Sequence, residues 1–405
     1  MAFVAATFVA GLVLDARGER LGTPRPPLAF DVDRAASWPW VALAIVVLAA
    51  AITAVPVLGA VRPVPFALST LGLALAIRLA VGAARFGPEG WDDPWNESFN
   101  AKNEYLPALP SLDALGAGFF LDHLDALVSA LPVHAAGHPP GLLLVLHWLG
   151  LDRPGEAAAL VILAGALAVP ATYWIARELL DEERARIAGI LSAFACATTL
   201  YGVTSADVLY AALGAGAAAL LLRAPTAGAA LLAVASFFSY AVVAAGAWVA
   251  LLGPRRFTVR VTAACAASLV AFYAALYVLT GFELWDVVPA VEEVYRESVA
   301  RLRPYAFWLF GSPAAFLAFL GLPITWYAAR ALGEGDRAAA ALAIVIVISA
   351  VAGFTKAETE RIWLMYVPLA CVAAASVLPT RKLPLVLALL AVQSLAVELV
   401  FGTVW

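Results

Sequence analysis

Long apolar runs govern what this chain can become. They lie near 38–58, 64–84, 156–176, 187–203, 208–223, 261–280, 312–331, 337–354, 363–378 and 383–401. A helix needs about 20 such residues to cross a bilayer core, where lipid offers backbone amides no partner. Residues 227–252 are apolar throughout and read as one tilted helix or a tight pair of short ones. Residues 2–14 are apolar but short, and no basic residue precedes them, so a cleaved signal peptide is not expected. Hydrophobic residues make up 63% of the 405 and charged residues 13%, whereas a soluble domain carries about 25% charge. That balance excludes an ordinary soluble enzyme, a secreted disulfide scaffold and a disordered chain. The expectation is an all-α, polytopic transmembrane helical bundle of about 12–13 spans in the cell membrane.

A net charge of −4 supplies no basic field for nucleic acid. Cys196, Cys265 and Cys371 sit inside apolar runs, so neither a disulfide framework nor a thiolate metal site is expected. Lysine is scarce beside arginine, and Ala, Gly, Leu and Val abound. That usage suggests a high-GC genome of the actinobacterial kind.

Basic residues in short loops mark the cytoplasmic side. Arg177/Arg184/Arg186, Arg255/Arg256/Arg260, Arg330/Arg337 and Arg381/Lys382 all fall there if 227–252 crosses twice. Residues 85–155, 204–207, 281–311 and 355–362 are then outside. Residues 15–37 also count as outside despite Arg17, Arg20, Arg25 and Arg34, which leaves the topology before residue 60 open.

The long polar excursion 85–155 carries Glu89, Asp92, Asp93, Glu97, Glu104, Asp113, Asp122 and Asp125 against two bases, Arg85 and Lys102. Loops this long are functional or disordered, and its Trp, Phe, Leu and Pro content speaks against disorder. Residues 111–129 read as an amphipathic helix lying in the interface. HPPGLLLVLHWLG, from His138 to Gly150, opens a second interfacial helix whose apolar stretch is too short to span.

An acidic first outer loop, two juxtamembrane helices and HPP opening the second resemble the GT-C superfamily of polytopic glycosyltransferases, nearest the protein-mannosyltransferase and aminoarabinose-transferase branch. The charged turn RELLDEERARIAG and the later YGVTSADVLYA agree, so the likeness covers about 65–225. It implies three parts: an N-terminal membrane segment (1–63), a catalytic core (64–225) and C-terminal helices completing the bundle (226–405). It also implies transfer of a sugar from a polyprenyl-phosphate donor to an envelope glycan, lipid or protein on the extracytoplasmic face. Some branches use a divalent metal such as Mg or Mn, others none; no cofactor is assigned. With the last apolar run ending near Trp405, no large soluble C-terminal domain is expected, and acceptor recognition falls to the outer loops or a partner.

Such chemistry needs a carboxylate to take the acceptor's proton and cations or donors for the departing phosphate. The family places an acid early in the first outer loop, often followed by Tyr. Glu104-Tyr105 is the favoured match and Asp93 the alternative; most other acids there read as solvated. Asp207 matches a family acid, or is a helix N-cap. For the phosphate the nominees are His138, Tyr105, Arg303, Lys356 and Arg361. The bland alternatives are an interfacial cap for His138, a salt-bridged loop for 355–362 and a solvated helix for 281–305. His123, His134, His138 and His147 lack a tight zinc-ligand spacing, and His147 is expected to pack or snorkel. Arg78, inside an apolar run, is expected to snorkel or to find a polar partner in the bundle, and Glu398 likewise.

Two rival classes stand beside this reading. A transporter or flippase fits the span count, but no internal repeat is visible. A non-catalytic envelope-assembly protein would tolerate loss of Glu104, Asp93 and Asp207.

Overall fold

A computed structural model describes residues 1–96 and 101–403. Glu97 and Trp405 lie outside the described residues. The described chain is all-helical apart from two isolated β-bridges. Five helices are long and apolar enough to cross a membrane: Trp38–Leu58, Pro63–Phe86, Pro154–Leu179, Arg255–Thr280 and Thr380–Val400. Two bent pairs bring the number to seven. Large apolar side chains such as Val278 and Val270 face outward, as lipid-exposed surfaces require. The interior is built largely from alanine, with tight approaches at glycine. Gly228 lets one helix lie against Leu221 so closely that an added Cβ would sit 2.2 Å from the Leu221 amide nitrogen.

The bundle has two distinct ends. Arg186 donates to the Leu58 carbonyl at 3.0 Å, just before Pro63–Phe86 begins, and Thr380 donates to Glu183. At the far end of Pro63–Phe86, about 36 Å away at 1.5 Å per residue, Arg85 donates to the carbonyls of Glu398 and Phe401 and pairs with Asp33. Residues 15–37 are tied to this second end: Asp33 N donates to Val400 O, Gly402 N to Asp31 O, and Ala29 N to Glu360. The arginines of that segment do not draw it to the Arg186 end. Arg25 is paired with Asp31 at 2.7 Å.

Several expectations need correction. The run 312–331 is not one straight span. Tyr305–Phe319 and Leu322–Gly333 meet at 114°, because Gly321 takes φ +110 and Pro323 opens the next helix. Residues 187–203 bend by 51° between Glu182–Phe194 and Cys196–Thr204. Residues 227–252, by contrast, form the tight pair of short helices that is one of the two expected forms, Pro225–Ser236 and Tyr240–Leu252. The amphipathic stretch 111–129 is broken into Leu109–Leu115, Ala117–Asp122 and Leu124–Leu127, with Gly116 at φ +76 making the first break. The helix after HPP, Gly141–Leu149, is short as expected but largely buried. Its first residue explains the glycine: Gly141 N donates to Phe237 O at 2.9 Å, and a Cβ there would lie 2.4 Å from that oxygen.

Arg78 does not snorkel. It is fully buried, and none of its guanidinium nitrogens has a hydrogen-bond partner among the described residues. Its stem lies against Gly202, where a Cβ would come within 2.7 Å. Glu398 is also buried, lining a small cavity with Arg85. His147 is held by Asp113 at 2.6 Å.

Candidate active site

Four chain segments converge at the Arg85 end. The turn after Ala101–Asn103 brings Glu104 and Tyr105, 3% and 1% exposed. The helix Val133–Gly137 and its exit bring His134 and His138. The start of Asp207–Arg223 brings Asp207. The turn 355–362 brings Glu358 and Arg361, with Arg303 packed behind.

These side chains form one chain of alternating charge. Arg361 Nη1 donates to Asp207 Oδ2 at 2.8 Å, and its Nη2 donates to Glu358 Oε2 at 3.1 Å. Arg303 Nη2 donates to Glu358 Oε1 at 2.5 Å, and its Nη1 donates to the Lys356 carbonyl. Ser205 Oγ donates to Asp207 Oδ2 at 2.9 Å. On the other side His138 Nε2 lies 3.7 Å from Asp207 Oδ1, and its Nδ1 donates to the His134 carbonyl. His134 Nδ1 in turn donates to Glu104 Oε1 at 2.7 Å, while Glu104 Oε2 is buried without a hydrogen-bond partner among the described residues. Tyr105 and Tyr210 share a 2.5 Å hydroxyl contact beside the His138 ring.

Backbone geometry sets Glu358 between its two arginines. Ala357 and Glu358 take φ +68 and +58, a left-handed conformation that costs non-glycine residues about 1–3 kcal/mol each. The buried contacts Ala357 N to Ser312 Oγ and Thr359 Oγ1 to Ser312 O hold the turn in place.

The electrostatics follow from these pairings. Burial alone would raise the Asp207 carboxyl. The Arg361 guanidinium, His138 and the Ser205 hydroxyl outweigh it and hold Asp207 down at about 2. Glu358 is likewise held below its ordinary value, because Arg303 and Arg361 outweigh its desolvation. Next to it Glu360 goes the other way. Burial pushes it up to about 7, with the Glu358 charge adding to the rise. Burial also raises the Tyr105 phenol, helped by Tyr210.

Of the residues nominated from sequence, Glu104, Tyr105, His138, Asp207, Arg303 and Arg361 come together here. Asp207 does not cap its helix; Ala206 occupies that position, and the Asp207 side chain turns to Arg361. Lys356 joins through its backbone carbonyl, while its ammonium is spent on Ala300 O at 2.7 Å. Asp93 is not part of the network. It lines the small cavity with Arg85 and Glu398, where burial and then Asp92 raise its carboxyl. Sequence reasoning missed the roles of His134 and Ser205, whereas Glu358, paired with Arg303 and Arg361, follows the salt-bridged alternative for 355–362. For His134 a local signal was its place four residues before His138.

Among the described residues no three His, Cys, Asp or Glu side chains converge as a metal-ligand set. Asp207 is already occupied by Arg361, Ser205 and His138, so this site does not fit the divalent metal used by some branches of the GT-C type. No family model matches the chain, and no curated protein matches it.

Proposed function

We propose that the chain is a membrane glycosyltransferase of the GT-C type. In this reading the shorter apolar helices cross as well, giving about 12–13 spans, and the Arg85 end faces the extracytoplasmic side. The first outer loop, with its juxtamembrane helices, then forms one wall of the site. The donor is a polyprenyl-phosphate sugar and the acceptor an envelope glycan, lipid or protein.

The observation that carries this reading is Glu104: a buried carboxylate, fixed on one oxygen by His134 and, among the described residues, unpartnered on the other. A held carboxylate with a spare lone pair suits removal of a hydroxyl proton. The donor's phosphate would meet Arg303 and Arg361, each now held by a single bond to a different oxygen of Glu358. Phosphate binding therefore means exchange with Glu358, the anion that bridges the two guanidinium groups. A lipid chain has a matching place. An apolar groove of about 540 Å³ runs between Ala2–Ala16, Tyr305–Phe319 and Arg337–Ala352, lined by Phe310, Leu317, Leu332, Ile346 and Val351. Its Val351 rim is bonded to Tyr305, two residues from Arg303.

The test is transfer of radiolabel from polyprenyl-phosphate mannose or arabinose to an envelope acceptor fraction, using purified protein. Glu104→Gln should lower the rate by about 100- to 10,000-fold with folding and donor binding intact. Wild-type transfer by that variant removes Glu104 from the base role. Translocation of a lipid or sugar is the second reading, favoured by the two broken helix pairs. Flipping in proteoliposomes without transfer would select it.

A further inference from the structure

The last apolar run opens on two cations. Arg381 and Lys382 precede the helix Leu383–Val400, which Pro384 starts. Thr380 donates to Glu183, so both cations sit at the Arg186 end of the bundle, opposite the candidate site. Both are exposed, and among the described residues neither is ion-paired. Glu183, the acid that Thr380 reaches, is engaged by that hydroxyl.

The helix Leu322–Gly333 is pinned to Leu383–Val400 near its own start. A Cβ on Gly321 would fall 2.3 Å from Leu390 Cδ2, and Leu322 N donates to Gln393 Oε1 at 2.8 Å. Gln393 Nε2 donates to Ala318 O, so both polar atoms of that amide are used. From this pin a groove of about 500 Å³ extends between the two helices to Lys382, lined by Trp326, Tyr327, Leu385, Leu389 and Val392. At 1.5 Å per residue, Gln393 and Lys382 are about 16 Å apart along the helix. Trp326 is 56% exposed and Val392 67%. The groove therefore opens on the outside of the bundle, where a membrane-embedded chain meets lipid tails.

An apolar channel is thus joined to unneutralised positive charge at one end only. An acyl chain fits the first and a phosphate the second. Basic pockets between membrane helices hold anionic head groups in this way. A zwitterionic head group would bring its own cation up to the two already there; an anionic one would not. The donor lipid of the proposed reaction does not belong here, since its phosphate would meet Arg303 and Arg361 at the opposite end. We propose that the groove between Leu322–Gly333 and Leu383–Val400 binds one anionic phospholipid, its phosphate on Lys382 and Arg381 and an acyl chain along Trp326 and Leu389. The proposal rests on membrane embedding and is independent of glycosyl transfer.

The test uses the full-length protein purified in a non-ionic detergent. The probe is phosphatidylglycerol with a photoreactive diazirine on its acyl chain, and adducts are located by peptide mass spectrometry. Unlabelled phosphatidylglycerol, phosphatidylcholine and a polyprenyl phosphate serve as competitors. The expected adducts fall on Trp326 and on residues 385–392, and phosphatidylglycerol removes them at concentrations where phosphatidylcholine does not. Lys382→Gln should raise the half-competing concentration about fivefold, and Lys382→Gln with Arg381→Gln about 25-fold, the usual worth of basic residues beside anionic lipid. Lys382→Arg should keep most of the affinity. Both side chains are exposed, so an unchanged thermal midpoint in detergent separates lost binding from lost fold. Adducts that phosphatidylcholine removes equally well, adducts indifferent to both charge removals, or no adducts in the groove overturn the proposal. Stronger competition by the polyprenyl phosphate also overturns it and gives the groove to an isoprenoid chain.

Discussion

Glu360 offers the sharpest quantitative test of the electrostatics. It is 1% exposed. One oxygen accepts the Ala29 amide at 3.1 Å, and the other is buried without a partner among the described residues. Desolvation raises its carboxyl from an ordinary 4.5 to about 7. The folded state therefore holds this proton more tightly than the unfolded chain does. Stability associated with the protonated form is fully present below about pH 4.5 and is lost as pH rises to about 7. The loss reaches about 3 kcal/mol and then levels off. Glu360→Gln keeps an oxygen for Ala29 and cannot ionise. Its buried amide adds a penalty that does not vary with pH, so the observable is the slope. Denaturant unfolding in detergent, from pH 4.5 to 8.5, should show wild type losing ground to the variant up to pH 7 and running parallel above it. Parallel profiles throughout, or wild type gaining on the variant as pH rises, would refute the reasoning.

Arg361→Ala leaves Asp207 and Glu358 without their shared cation and should cost about 3–5 kcal/mol, read as a lowered unfolding midpoint; Arg361→Lys should recover only part of it. Asp207 is held at about 2, below its ordinary 3.8, so its contribution is present above pH 4 and fades as pH falls towards 2. Asp207→Asn should erase that acid limb from the stability profile. Arg78→Met removes an unpartnered buried charge and should raise the thermal midpoint, by on the order of 1–4 kcal/mol of stability; a lower midpoint would show that the guanidinium does have a stabilising partner. Gly281 takes φ +74, and a Cβ there would fall 1.8 Å from Asp122 Oδ1. Gly281→Ala should cost about 1–3 kcal/mol, and adding Asp122→Ala should restore only the part due to the clash.

Hydropathy located the helices well because burial in lipid needs only a long apolar run. It could not tell a straight span from a broken one. Residues 312–331 are as apolar as a crossing helix, yet the Gly321-Leu-Pro323 step turns the chain by 114°. Residues 15–37 resisted placement for another reason. Loop-charge rules count arginines one by one, whereas here Arg25 is neutralised by Asp31 and the reaching cation is Arg85, from a different helix, on Asp33. Pairing across the fold changes what a loop charge is worth, and no local window contains it.

The same limit applies more strongly at the candidate site. Residue type and position were enough to nominate Arg303 and Arg361, since charge is expensive near a membrane and collects where it has work, whereas Glu104, His138 and Asp207 were nominated through the family resemblance. Their assignments to base or phosphate partner were not readable, because those depend on which opposite charge arrives first. Arg361 lies 154 residues from Asp207, and Arg303 lies 55 from Glu358. Read alone, each arginine looks like a free phosphate ligand. Folded, the two compete for one carboxylate, and that carboxylate is held between them by two left-handed residues. Under the proposed function, a phosphate arriving at Arg303 and Arg361 would have to displace Glu358 while leaving Arg361 on Asp207. The proposed donor site would then be one of exchange, with the strength of the Glu358 pairing setting how tightly an incoming phosphate is held.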